Sequence, residues 1–144
     1  PRELVSLKLQ LEDWVTVIDY IAQKKSIDTR RMVLWGTSLS GGYVLELASQ
    51  LKNIKAIIAQ IPFVDGTESA KHYPLQFLPQ ALKISSQDYM GGKVGLSPRT
   101  LPVIHPKKLC FLPTPDSYAG YLSILNPDYY WSGEVPARVF FHLM

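Results

Sequence analysis

One cysteine, Cys110, is all the thiol this sequence holds, so an internal disulfide is excluded. Without a pair of CxxC spacings a structural zinc site has no ligand set either. That usage fits a reducing, cytoplasmic compartment, and neither a metal nor a cofactor is expected. Apolar runs are short: none approaches the ~20 residues that span a bilayer. The opening PRELVSLKLQ also lacks the basic-then-apolar order of a signal peptide, so no membrane is expected as a partner. Long basic runs are missing as well. The net charge of +3 comes from scattered pairs such as Lys24-Lys25, Arg30-Arg31 and Lys107-Lys108, which read as solvated surface, so no nucleic acid is expected. Neither GxGxxG nor GxxxxGK[ST] occurs, which leaves a nucleotide phosphate without its usual cradles. The chain opens on Pro1 where an initiator Met would stand, which points to a fragment, a processed chain or an incomplete determination.

What is present suits a buried core: 47% hydrophobic, 19% charged and 11% aromatic residues in 144, enough for one domain or a piece of a larger one. In LEDWVTVIDYIAQKK, Leu11 to Lys25, apolar residues at Leu11, Trp14, Val15, Ile18, Ile21 and Ala22 give the spacing of an amphipathic helix. Glu12-Asp13 at its start and Lys24-Lys25 at its end would match the helix dipole. MVLWG, between Arg31 and a glycine, predicts a short buried strand over 32–36; a second helix is expected over about Gly41 to Leu51, and IKAIIAQI, stopped by Pro62, predicts another strand over 54–61. Helix, strand, helix and strand with short connectors predict a βαβ unit with two parallel neighbours. Past Asp65 the character changes. Nine of the 11 prolines lie from Pro74 onward and glycines cluster at 91, 92 and 95, predicting irregular, aromatic-rich structure with short helices. Helix starts are expected at TPDSYAGYLSIL, with Thr114 as cap, Pro115 first and Asp116 near the positive end, and at EVPARVFFHLM, with Pro136 placed similarly.

Between the two predicted strands lies WGTSLSGG. A serine hydroxyl becomes a nucleophile only when a base takes its proton and the developing oxyanion is stabilised. One solution puts it on a strained strand-to-helix turn, where small residues two before and two after let the backbones nearly touch. Two frames fit. Gly36-Thr37-Ser38-Leu39-Ser40 makes Ser38 the nucleophile with a serine where GxSxG has glycine; Ser38-Leu39-Ser40-Gly41-Gly42 makes it Ser40. The apolar run ends at Trp35, which favours Ser38 at the apex and places Ser40 in the first helical turn. Close packing with both serines as caps, or a phosphate site on free N–H groups, are the competing explanations.

The segment IDTRRMVLWGTSLSGGYVLELASQLKNIKAIIAQIPFVDG resembles the nucleophile region of α/β-hydrolases. It is most similar to the dienelactone-hydrolase-like branch that includes bacterial predicted hydrolases and fungal polyketide transferases, and TPDSYAGY and EVPAR resemble that branch's lid. The resemblance implies an α/β fold class: a partial α/β-hydrolase fold, with a parallel sheet and flanking helices around a nucleophile elbow, plus a lid-like irregular and helical C-terminal segment. Residues 1–66 would form the first part and 67–144 the lid-like part of one domain. It also implies Ser38 as nucleophile and the backbone N–H of Leu39 as part of the oxyanion hole. The implied substrate is a small-molecule ester or thioester, processed through an acyl-enzyme by hydrolysis or transfer, with an acyl-carrier protein or polyketide synthase as implied partner. The branch's acid and histidine follow the serine in chain order, and no residue here matches them. His142, within VFFHLM, is expected to pack; His105 and His72 are expected in loops; Asp65, beside Gly66, reads as a turn former although it sits at the active-site end of its strand. Tyr118, Tyr121, Tyr129, Tyr130 and Trp131 fit lid packing or an apolar acyl pocket. The alternative expectation is a catalytically incomplete remnant that works, if at all, through association.

Overall fold

The computed structural model describes residues 4–143; the outer bounds of the two expected segments, Pro1 and Met144, lie outside them. Internal contacts divide the chain into two units, residues 7–66 on one side and residues 67–143 with 4–6 on the other.

In the first unit, α1 runs Leu7–Ala22. Its Leu11, Trp14, Val15 and Ile18 pack into one cluster with Leu34, Val44 and Leu47, and each fully buried aliphatic side chain there contributes about 1.5–3 kcal/mol. The helix starts a turn ahead of its apolar stripe and stops before Lys24, so no acidic residue stands in its first turn and no basic one in its last. The expected match to the dipole is therefore not realised; Lys24 lies instead over the Tyr20 ring, 3.9 Å from its centroid. Met32–Thr37 forms β1, Leu39–Gln50 forms α2 and Ile54–Gln60 forms β2. The strands pair parallel, with Trp35 opposite Ile58 and Thr37 opposite Gln60, as the βαβ pattern predicts. Tyr43, buried in α2, donates to the Gln10 side chain of α1; burial pushes its pKa up to about 12, so the donor proton stays in place. The sheet is less enclosed than its apolar runs suggest. The face carrying Leu34 and Ile57 lies under α1 and α2, whereas on the other Trp35 is 64% exposed and Ile58 57%. Both faces of a parallel sheet are usually covered; here the expected buried strand is buried on one side.

A short α3, Gly66–Ala70, begins on the last residue of the first unit, and α4, Leu78–Lys93, follows in the second. The sequence shows no apolar period for this 16-residue helix because the positions it buries are Ala81, Ser85 and Asp88, small or polar residues at spacings of four and three. Gly91 and Gly92, part of the cluster read as a sign of irregular structure, belong to its last turn. Thr100–Pro102 forms β3, Ser117–Ile124 forms α5, Glu134–Pro136 forms β4 and Val139–His142 forms α6. β3 and β4 pair antiparallel, Leu101 opposite Val135, so this region holds a small sheet as well as helices. Pro136 is the last residue of β4 and not the first of a helix, a place open to proline because an edge strand does not need its N–H. α5 begins at Ser117, two residues past Pro115, and Asp116 is its N-cap without a side-chain cap bond; the Thr114 hydroxyl pairs with that of Ser117 instead. Leu101, Val135, Ala137 and Val139 form the core, with Ile84, Phe111 and Phe140 against it.

Candidate active site

β1 ends at Thr37 and α2 begins at Leu39, so the whole reversal falls on Ser38, whose backbone stands at φ 55, ψ −117. A non-glycine residue held there costs on the order of 1–3 kcal/mol and persists only where its surroundings over-determine it. Three backbone bonds do so. The Ser38 N–H donates to the Gln60 carbonyl (3.0 Å), and the Ser38 carbonyl accepts from the N–H groups of Gly42 (3.2 Å) and Phe63 (2.8 Å). The side chains on either side add a lock: the Ser40 hydroxyl donates to the Thr37 carbonyl and accepts from the Thr37 N–H, both at 2.9 Å, while the Thr37 hydroxyl donates to Gln60 Oε1 at 3.1 Å.

Glycines let these segments close on one another. A Cβ on Gly36 would stand 2.1 Å from the Ser40 carbonyl oxygen, and one on Gly42 2.1 Å from that of Phe63; both obstacles are backbone and cannot swing aside. Ser40 occupies the position where GxSxG has glycine, and its hydroxyl is consumed on the Thr37 peptide. Ser38 is the helix N-cap, yet its hydroxyl makes no cap bond, and the residue is exposed. Leu39 is the first residue of α2, where an N–H has no intrahelical acceptor and lies at the positive end of the dipole. The turn thus presents one unengaged hydroxyl beside a free helix-start amide.

The other candidates are placed as follows. Asp65 is exposed and directly precedes α3. His105 Nδ1 accepts from the N–H groups of Lys107 (3.0 Å) and Lys108 (2.9 Å), closing a turn. His142 ends α6 with its ring 6.4 Å from that of Tyr89, and His72 is exposed. Tyr121 stacks on Trp131 at 5.9 Å, while Tyr118, Tyr129 and Tyr130 are exposed. Cys110 is not placed to act as a nucleophile: it is fully buried, and burial pushes its thiol pKa up. Among the described residues no group of three or more His, Cys, Asp or Glu could hold a metal ion, and no helix is long and apolar enough to cross a membrane. Sequence reasoning took Pro62 only as a strand stop and passed over Gln60. The signal was there in IPF directly after a β-branched run, since proline at a strand end often marks a bulge.

The model of the prolyl oligopeptidase family matches residues 8–90. The quorum-quenching protein AidA of Acinetobacter baumannii is 36% identical over 127 residues, which are 87% of this chain and 41% of that protein. The thiohydrolase aneE of Aspergillus aculeatus is 31% identical over 67 residues, 46% of this chain and 21% of that protein. Among solved structures, the α/β hydrolase GrgF from Penicillium sp. sh18 superposes with a TM-score of 0.73 at 19% identity, covering 99% of this chain and 48% of that one. That likeness shows the fold, and it is the one the elbow segment resembles. The chain spans less than half the length of each of these proteins.

Proposed function

The chain belongs to the prolyl oligopeptidase family of the α/β-hydrolase superfamily, and from that premise we propose that Ser38 is the nucleophile of an enzyme acting on small-molecule esters or thioesters. One observation carries this: Ser38 alone occupies the strained apex, with its hydroxyl unengaged and the Leu39 N–H beside it. In the proposed reaction Ser38 Oγ bonds to the acyl carbon while a general base accepts its proton. The carbonyl oxygen gathers negative charge against the Leu39 N–H, and the alcohol or thiol leaves with a proton returned by the base. Water or a second acceptor then attacks the acyl-enzyme, which gives hydrolysis in one case and acyl transfer in the other.

Thioesters enter because a relative 31% identical over 67 residues is named a thiohydrolase; an acyl group on a carrier protein or polyketide synthase belongs to the same chemical class. In this superfamily the acid and histidine follow the serine in the chain, and the proposal does not draw its base from His72, His105 or His142. A second reading, a protein that acts through association without turnover, draws on the exposed apolar sheet face at Val33, Trp35 and Ile58.

A fluorophosphonate probe separates the two in the full-length protein. The expected result is labelling that is lost in Ser38→Ala and kept in Ser40→Ala. Labelling that survives Ser38→Ala overturns the nucleophile assignment, loss confined to Ser40→Ala selects the other frame, and absence of labelling in the unaltered protein favours the association reading.

A further inference from the structure

The chain leaving β2 is tied twice to a single residue. Gln60 receives the Ser38 N–H at 3.0 Å and Phe63 donates to the Ser38 carbonyl at 2.8 Å. In a regular parallel ladder the residues that serve the N–H and the C=O of one partner are two apart. Here they are three apart, so one extra residue is accommodated as a bulge. Pro62 has no N–H for a ladder, and a bulge is a place where a strand tolerates it. Ile61 takes up the extra length at φ 40, a region that is a genuine outlier for a β-branched residue. The residue is 77% exposed, so burial does not offset that strain.

Ser38 and Ile61 are the only non-glycine residues with positive φ among those described, and the two bonds above join them into one strained unit. The bulge is seated on the first turn of α2: a Cβ on Gly41 would lie 3.0 Å from Pro62 Cα, and one on Gly42 2.1 Å from the Phe63 oxygen. Bulges beside sites re-aim a side chain, and retained strain points to a use. We propose that this bulge presents Ile61 as an apolar wall for the acyl group attacked by Ser38, so that Ile61 sets a preference for aliphatic acyl chains of several carbons over acetyl. The assignment rests on Ser38 as nucleophile and adds the substrate class. An isoleucine offers no hydrogen bond, only contact with methylene groups, and each such group gained or lost in an apolar pocket changes kcat/KM by roughly 10-fold or more.

The test compares p-nitrophenyl acetate, butyrate and octanoate with the full-length protein, its Ile61→Ala variant and its Ser38→Ala variant. Ile61→Ala should lower the octanoate-to-acetate ratio of kcat/KM by roughly 10-fold while Tm stays nearly unchanged. An unchanged ratio, or an equal loss on all three esters, overturns the pocket assignment and leaves the nucleophile standing. Turnover that persists in Ser38→Ala overturns the nucleophile and the pocket with it. If no ester is turned over, labelling rates with methyl and octyl fluorophosphonates supply the same ratio, and labelling by neither overturns both. Ile61→Gly serves as the second variant: glycine accepts the positive φ, so Tm should hold or rise, whereas a drop of several degrees means that Ile61 is packed and the assignment is wrong.

Discussion

In residues 7–66 the polar groups that fix the decisive geometry are backbone amides, whereas in residues 67–143 they are one carboxylate and one guanidinium. The elbow holds Ser38 by its own N–H and C=O, with glycines admitting the neighbouring chain. The second unit is pinned by Asp88, 1% exposed, which accepts from the Arg99 N–H (2.7 Å), the Arg138 N–H (2.8 Å), and Arg138 Nε (2.8 Å) and Nη2 (2.9 Å). Gly92 makes room for that guanidinium, since a Cβ there would stand 1.9 Å from Nη1. The backbone clamp on Ser38 needs no charged side chain. A buried ion pair ties together α4, the entry to β3 and the entry to α6, which are distant in sequence, and it depends on both charges being present.

The comparison breaks first at Asp88. Removing one partner of a buried pair leaves the other charge uncompensated, so Asp88→Asn should cost about 3–5 kcal/mol in urea unfolding. Asp88→Leu combined with Arg138→Met should recover most of it, because apolar groups of similar volume need no partner. Hydrogen exchange should quicken at the Arg99 and Arg138 amides and stay unchanged over 32–60; equal quickening in both would show that the two regions do not act separately. Acid gives the same test without a mutation. Burial alone would raise the Asp88 carboxyl, but hydrogen bonds from the Arg138 side chain, its backbone and Arg99 outweigh it, and the net shift is downward. A carboxyl lowered in the folded state stabilises above its unfolded value of about 3.9, and that stability is lost as pH falls from there toward the folded value. Unfolding of residues 67–143 should therefore set in below about pH 4, with a flatter dependence in Asp88→Asn.

A smaller effect is expected at the elbow. Gly36→Ala places a Cβ 2.1 Å from a backbone oxygen, and the shift needed to relieve it should cost about 2 kcal/mol. Its sharper readout is position: displacement of the turn should abolish fluorophosphonate labelling at temperatures where circular dichroism still reports folded protein. Retained labelling would mean that the close approach at Gly36 is not what sets Ser38.

How far each region could be read from its residues follows the same divide. The elbow was legible because its determinants are local: an apolar run that stops at Trp35, small residues from Gly36 to Gly42, then an amphipathic stretch. The resulting β1, α2 and β2 differ from the sequence expectation by two residues at most. In residues 67–143 the determinants are non-local. Nothing beside Asp88 in the sequence announces Arg138, 50 positions away, and a helix that buries Ala81, Ser85 and Asp88 shows no apolar stripe. Pro136 carried a helix-start signal, but pairing with Thr100 fixed it in a strand instead. Ile61 lies between these cases. Its proline neighbour was visible, while the bulge depends on two bonds to Ser38 from beyond the helix.

Ser40 gives the smallest and most discriminating effect. If the two hydrogen bonds of its hydroxyl to the Thr37 peptide are what let a serine stand in place of glycine, then Ser40→Ala should destabilise by about 1 kcal/mol, the net worth of such a bond. Thr37 is exposed at the end of β1, so its N–H and C=O can turn to water, which keeps the cost near that figure. Labelling of Ser38 should persist, because the three backbone bonds that hold its φ are untouched. A loss of labelling with only a small change in Tm would instead make Ser40 a positioning residue for Ser38, and the clamp on Ser38 would then include a side chain as well as the backbone.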